Sequence, residues 1–450
     1  MRHPIRLLAL CALALGLIRA VLVYSLPFAL VQSQPDLALW LNPNHPDALI
    51  GKAEQLRTKL LALKPVVPKE KGSTSQRPKA DTIAKLPTAA EAPAVSPALD
   101  QQRTKLKTEI AAIAKRVIAN DPLNAHAFRL LAEVTDETSL VRALMREAVK
   151  RSRRESIAVF WLLNDSYLQK DFAGVVQHAD ILLRTRPELS RLAVGYLGAI
   201  AAEPGGRKLI VARLVQGPPW RDQFFQLLPE SVRLAQTPFD VMLALKAAGK
   251  TPSDADLAPY LTLLINKGVV ELAYSAWIKF RSKEELARLG FLTNPSFEKD
   301  PSGLPFDWQI TRGQNATAEF APIRPGLSER ALYVKFGVGR VTFPEVRQIV
   351  ILAAGRYRLE GKLKGSVVAK RGLRWQFRCL YGPGKTLAET DMLLGQSDVW
   401  RSFSLDVTIP SGTECRAQVL RLFHDARSAS EQLISGEIWF DDLRLIRAPE

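Results

Sequence analysis

Asn294-Pro-Ser-Phe-Glu298, followed by Pro305-Phe-Asp-Trp308, marks the point where the chain changes character. Before it, apolar residues recur every three or four positions; after it, they alternate. The counterpart at the far end is Ile438-Trp-Phe-Asp-Asp-Leu-Arg-Leu445. Between the two, Leu332, Val334 and Phe336 alternate with Tyr333 and Lys335. Tyr357, Leu359 and Leu363 alternate with Arg358, Glu360, Lys362 and Lys364. Each pattern describes a strand with one buried and one wet face. Trp375, Phe377, Cys379 and Tyr381 share a face of another strand, as do Phe403, Leu405, Val407 and Ile409. Turn signals at Ala354-Gly355, Gly382-Pro-Gly384 and Ser411-Gly412 separate these runs. About eight short strands in such a span imply an antiparallel β-sandwich or jelly roll over residues 291–450. Residues 294–298 are expected to be its first strand and 438–445 its last.

Working back from this stretch, residues 101–290 are helical by periodicity. One turn signature recurs: Asn42-Pro-Asn-His-Pro46-Asp-Ala48, Asn120-Asp-Pro122-Leu-Asn-Ala125, and more weakly Thr185-Arg-Pro187. It ends one helix and opens the next, and it resembles the helix-to-helix junction of tetratricopeptide repeats. The junctions are unevenly spaced, so intervening repeats must be degenerate or interrupted; a generic helical bundle is the alternative. Further helices are expected over 222–228, 239–248, 253–265 and 270–289. Ser253 and Asp254 are natural N-caps, and Gly290 is a natural stop. Residues 36–63 read as an earlier helical piece.

Residues 64–100 are Pro/Ala/Lys-rich without an aromatic residue and read as a flexible linker. Residues 1–35 open with Arg2 and Arg6, then an apolar run interrupted at Arg19. The expectation is an uncleaved N-terminal membrane anchor with the bulk in the periplasm of a bacterium; a cleaved signal peptide is the alternative. Arg19 in mid-span is costly for a spanning helix. The short apolar run before Cys11, and the large Leu10, argue against lipid attachment there. The layout is therefore multidomain α plus β: anchor, α-helical tetratricopeptide-like solenoid and jelly roll.

The 450 residues carry a net charge of +17 spread along the chain. It implies a solvated basic surface or an anionic partner. Lys150-Arg-Ser-Arg-Arg154 has no interleaved aromatic residue, so nucleic acid is not expected as a partner. Of three cysteines, Cys379 and Cys415 fall in one sandwich of a chain that looks exported, which suggests a disulfide; two buried thiols are the alternative.

Five pieces stand in a telling order: Asn294-Pro-Ser-Phe-Glu298, Pro305-Phe-Asp-Trp308, Ala354-Gly-Arg-Tyr357, Trp400-Arg-Ser-Phe403 and Ile438-Trp-Phe-Asp441-Asp442-Leu. Together they resemble the galactose-binding-like jelly roll of bacterial carbohydrate-binding modules. The resemblance implies a structural calcium where the chain ends meet, with Glu298, Asp441 and Asp442 as ligands. A carboxylate that caps strand ends or pairs with an arginine is the alternative. It also implies glycan contacts by aromatic platforms, for which Trp375, Tyr381, Trp400, Trp439 and the His424-Asp425 pair are candidates; core packing is the alternative for each.

The sequence holds no nucleophile elbow, no phosphate-cradling Gly-x4-Gly-Lys loop, no His-Glu-x-x-His and no paired Cys-x-x-Cys. The expectation is a non-catalytic envelope scaffold, assisting assembly or export of an extracellular polysaccharide. Its helices would hold a protein partner and its jelly roll a glycan. A glycoside hydrolase-like enzyme or enzyme subunit acting on envelope glycan is the alternative.

Overall fold

The computed structural model describes residues 3–31, 34–63, 97–324, 326, 328–382, 384–394, 397–412 and 415–449. The chain divides into two compact units, one of residues 1–224 and 231–237, the other of residues 225–230 and 238–450.

The first unit begins with α1 (His3–Ala20), a π turn over Val21–Ser25, and α2 (Leu26–Leu30). The π turn has a cause. Pro27 has no N–H to offer the carbonyl of Val23 four residues back. That carbonyl instead accepts from Asn42 Nδ2 at 3.1 Å. Among the described residues, no helix is long and apolar enough to cross a membrane.

After α3 (Pro35–Leu41), successive helices pack against one another and can be taken in pairs. These are α4 (Pro46–Ala62) with α5 (Pro97–Asn120), α6 (Ala125–Glu133) with α7 (Thr138–Arg151), α8 (Ser156–Leu168) with α9 (Phe172–Thr185), and α10 (Ser190–Ala201) with α11 (Pro204–Val215). Residues 64–96 of the expected linker lie outside the described residues, while 97–100 belong to α5. Two of the expected junctions are capped by side chains: His45 Nδ1 accepts from Ala48 N, and Asn124 Oδ1 from Ala127 N. The helices that open the last three pairs start 31 and 34 residues apart. The junction between α7 and α8 lacks the Asn-Pro signature, which is why the spacing looked uneven in the sequence. Arg129, 2% exposed, ties three of the pairs together through Glu54, Glu133 and Glu155. Burial pulls its pKa down, but these carboxylates outweigh it and the guanidinium is held above its usual range.

The chain continues through α12 (Arg221–Ser231) to the helices of the second unit: α13 (Thr237–Ala247), α14 (Asp254–Asn266), α15 (Val270–Lys279) and α16 (Lys283–Ala287). Ser253 caps α14 in a capping box with Asp256. The single helix expected over 270–289 is split. A second box, Ser282 with Glu285, satisfies the N–H groups of a new helix start and so ends the old one.

Ten strands among the described residues then form two five-stranded antiparallel sheets. They are β1 (Gln309–Ile310), β2 (Ala316–Pro322), β3 (Arg330–Phe336), β4 (Val346–Val350), β5 (Gly355–Ala369), β6 (Leu373–Cys379), β7 (Thr386–Glu389), β8 (Ser397–Ile409), β9 (Gln418–His424) and β10 (Ile434–Arg447). One sheet has the order β1-β4-β9-β6-β7 and the other β2-β3-β10-β5-β8. The alternation expected of β3, β5, β6 and β8 is the one that fills the core.

Asn294–Glu298 is not the first strand. It is a turn, because Asn294 (φ 49°) and Phe297 (φ 55°) adopt left-handed backbone conformations that no strand can continue. The Asn294 side chain brackets the turn, donating to Lys299 O at 2.7 Å and accepting from Lys299 N at 3.2 Å. The turn drives Phe297, fully buried, between the sheets. From it runs a chain of ring contacts: Phe320–Phe297 (4.9 Å between centroids), Phe297–Trp308 (5.3 Å), Trp308–Trp375 (5.8 Å), Trp375–Phe440 (5.8 Å) and Phe440–Phe403 (6.2 Å). Trp308 Nε1 donates back to Asn294 O, and Leu443 N donates to Pro295 O. The opening stretch and the last strand do meet, through backbone and core.

The expected disulfide is present: Cys379 and Cys415 are bonded, with Cα atoms 5.1 Å apart. It joins the end of β6 to the segment leading into β9.

Candidate functional site

β10 is the central strand of its sheet, and its alternation decides what the sheet presents. Ile438 and Phe440 are fully buried, so Trp439 between them points to the outer face. Pairing register places Tyr333 of β3 on one side of Trp439 and Lys364 of β5 on the other. The Tyr333 ring stacks on Trp439 with centroids 4.3 Å apart and planes at 29°. Lys364 Nζ lies 5.5 Å from the Trp439 centroid and 4.9 Å from that of Trp400 on β8. Trp400 sits where the β5–β8 register shifts between Leu363 and Gly365, a bulge of the kind that re-aims a side chain.

The row Tyr333–Trp439–Lys364–Trp400 thus crosses four strands, and all four side chains are partly exposed. Two strand spacings, about 10 Å, separate Trp439 from Trp400. Polar groups border the row. The Tyr333 hydroxyl donates to Glu437 Oε2 at 2.5 Å. Its pKa is pushed up to about 12, first by burial and then by the bond to Glu437 and the charge of Glu319, so it remains a donor at neutral pH. Lys362 pairs with Asp442 at 2.7 Å, and Arg358 grips Asp406 at 2.7 and 2.9 Å. A shallow hollow of about 500 Å³ beside them is lined by Arg358, Glu360, Lys362, Ser402, Ser404 and Arg444. With Tyr333 stacked on one face of Trp439 and Lys364 over both indoles, the row offers the parts of its rings that these contacts leave exposed, beside polar groups that can bond sugar hydroxyls.

Two of the four predicted platforms belong to this row and two do not. Trp375 is a correction: it is enclosed in the core between Trp308 and Phe440 and cannot reach a ligand. Tyr381 lies at the other sheet, half-buried, and donates its hydroxyl to Ile265 O of α14 at 3.0 Å. His424 Nε2 lies 2.9 Å from Arg371 O, and burial lowers the pKa of its ring. Asp425 is occupied by Arg371, with Arg374 and Arg427 close by. Tyr333 and Lys364 were read only as wet-face residues; cross-strand register, which a sequence does not display, makes them neighbours of Trp439.

The outer face of the other sheet is committed. Arg416 binds Gly268 O and Glu271 on the α14–α15 side. Farther along, Arg421 bonds Gln376 at 2.9 Å and Glu345 at 2.7 Å, Gln376 bonds Glu389 at 2.9 Å, and Arg374 pairs with Glu389 at 3.3 Å.

At the junction predicted to hold calcium, Asp441 has its pKa raised to about 6, by burial first and then by the neighbouring charges of Asp442 and Glu298. Asp442 is turned to Lys362, and Glu298 faces the backbone N–H of Arg330 at 3.3 Å. Among the described residues, no three Asp, Glu, His or Cys side chains are grouped to hold a metal ion. Asp441 Oδ1 accepts from Asp442 N at 2.7 Å, which offsets part of the rise in its pKa.

In the first unit, α7, α9 and α11 border a groove of about 930 Å³ lined by Arg146, Lys150, Arg153, Leu162, Ile181 and Leu209. Its acids are bound: Asp165 to Arg142, and Asp180 to Arg184 and Arg213.

No family model matches the chain, and no curated protein does. Solved structures do resemble part of it. A carbohydrate-binding module is 14% identical, covers 35% of this chain and 99% of its own, and has a TM-score of 0.27. A module in complex with β-1,4-galactotriose is 18% identical, covers 36% and 99%, and scores 0.23. A xylan-binding domain from Paenibacillus barcinonensis is 14% identical, covers 34% and 92%, and scores 0.23.

Proposed function

We propose that the sandwich binds a polysaccharide on the outer face of its β2-β3-β10-β5-β8 sheet, without turning it over. One observation carries this: three aromatic rings are held partly exposed in one row on the outer face, each against a neighbour in that row. Rings held in place lose little freedom on binding, which favours affinity. The helical pairs would act as a tetratricopeptide-like scaffold, with the groove along α7, α9 and α11 taking a protein partner. The disulfide favours an oxidising compartment and, with the leader, an exported chain facing the periplasm, anchored or released. The role that unites these parts is a non-catalytic scaffold of the cell envelope.

Affinity electrophoresis in gels cast with a panel of soluble polysaccharides tests the binding. The intact protein is expected to be retarded by at least one, and the Trp439→Ala Trp400→Ala double variant by none. Equal retardation of both proteins would remove the row from the site. Reducing ends released during the same incubations would replace the scaffold reading with an enzyme.

A further inference from the structure

We infer that the polysaccharide taken by this row is acidic, with a carboxylate of a uronic-acid-type sugar lying against Lys364; this rests on the glycan-binding reading above. Lys364 stands between Trp439 and Trp400, in the middle of the path that a glycan laid across the row would follow. Among the described residues its ammonium makes no ion pair and no hydrogen bond. The carboxylates on neighbouring rungs are used elsewhere: Asp442 by Lys362, Asp406 by Arg358, Glu437 by the Tyr333 hydroxyl. Glu360 is opposite Arg444 in register and acts on Arg358. Asp398, in the bulged part of β8, makes no ion pair with Lys364.

The physical consequence follows from desolvation. In the free protein Lys364 is hydrated and rests on two π faces. A neutral sugar laid across both indoles would strip water from the ammonium and give no charge in return, which opposes binding. A carboxylate at that position replaces the lost water with a charge-assisted hydrogen bond. The same lysine thereby rejects neutral chains and selects acidic ones, an arrangement that gives specificity by both attraction and penalty.

The test uses the intact protein and paired probes: polygalacturonate, alginate and hyaluronate, each beside the same polymer after chemical reduction of its carboxyl groups. At least one acidic polymer is expected to bind about tenfold or more tightly than its neutral partner, tenfold being the ratio that 1.4 kcal/mol supports. Lys364→Met, which keeps the stem over the rings, should abolish the preference, and Lys364→Arg should restore it. Raising the salt from about 0.15 to 1 M, which shortens the screening length from about 8 to 3 Å, should weaken the acidic polymer and leave the neutral one. A neutral polymer that binds as well as its acidic parent, or a preference that survives in Lys364→Met, overturns the inference and leaves glycan binding standing. If no polymer of either set binds, both readings fall. A melting curve for each variant separates lost binding from lost fold.

Discussion

Two sets of aromatic residues cross this sandwich, and they differ in what surrounds them. Phe320, Phe297, Trp308, Trp375, Phe440 and Phe403 form a chain of ring contacts between the sheets, packed in the apolar core. Tyr333, Trp439 and Trp400 lie in a row outside, with a lysine ammonium and a carboxylate as neighbours. β10 contributes to both, through Phe440 and Trp439. The residue types are the same; the side of the strand decides whether a ring holds the fold or is offered to a ligand. The inner set gains from leaving water. The outer set keeps part of its surface in water, and that exposure is the reason to assign it a function.

Replacing Phe297 with Ala should break the contrast from the inside. It removes the ring that the opening turn drives into the core, at a cost of about 3–5 kcal/mol read by chemical denaturation. Binding by the protein that remains folded should be unchanged. Cys379→Ser with Cys415→Ser should cost about 3–4 kcal/mol, from a loop of 36 residues released in the unfolded chain. It too should spare the row, which lies on the other sheet. Trp439→Ala acts from the outside. Truncating a central aromatic anchor typically costs about 2 kcal/mol of binding, while a partly exposed position should lose less than about 1 kcal/mol of stability.

The smallest effect concerns the closure. Folded Asp441 holds its proton up to about pH 6, above the unfolded value near 3.9, so its burial opposes folding when it is charged. That cost is present above pH 6 and is relieved as the pH falls from about 6 towards 4. Asp441→Asn should therefore raise stability at pH 7.5 by about 1 kcal/mol, discounted for partial exposure, and change it little near pH 4. A cation bound at the junction would compensate the same charge. With Asp442 held by Lys362 and Glu298 at the Arg330 N–H, a calcium-dependent rise in the parent's melting temperature at pH 7.5 that is absent from Asp441→Asn would show these side chains regrouping around the ion.

Much of the sandwich core was legible beforehand. Alternation along β3, β5, β6 and β8 picked out the buried residues, because a strand half in water must place apolar groups at every second position. The disulfide was legible from the company its cysteines keep. Three things were not. Asn294 and Phe297 turn left-handed, which their residue types alone do not announce, so a turn was read as a strand. Ser282 and Glu285 spell a capping box, but the apolar period runs on through them and hid the break. The outer row depends on register and on a bulge in β8, both set by long-range pairing. From sequence, Trp375 and Trp439 looked alike as platforms, since each is an indole in a strand; only the face separates them.

The most direct measurement compares two adjacent residues of one strand, Trp439 and Phe440, each replaced with Ala. For both variants, melting temperature is recorded beside retardation in polysaccharide gels well below the melting point. Trp439→Ala should lose retardation and keep its melting temperature within about 3 °C, whereas Phe440→Ala should melt about 10 °C lower and, while folded, remain retarded. Retention of full retardation by Trp439→Ala, in gels that retard the parent, would contradict the assignment of the outer row to glycan binding.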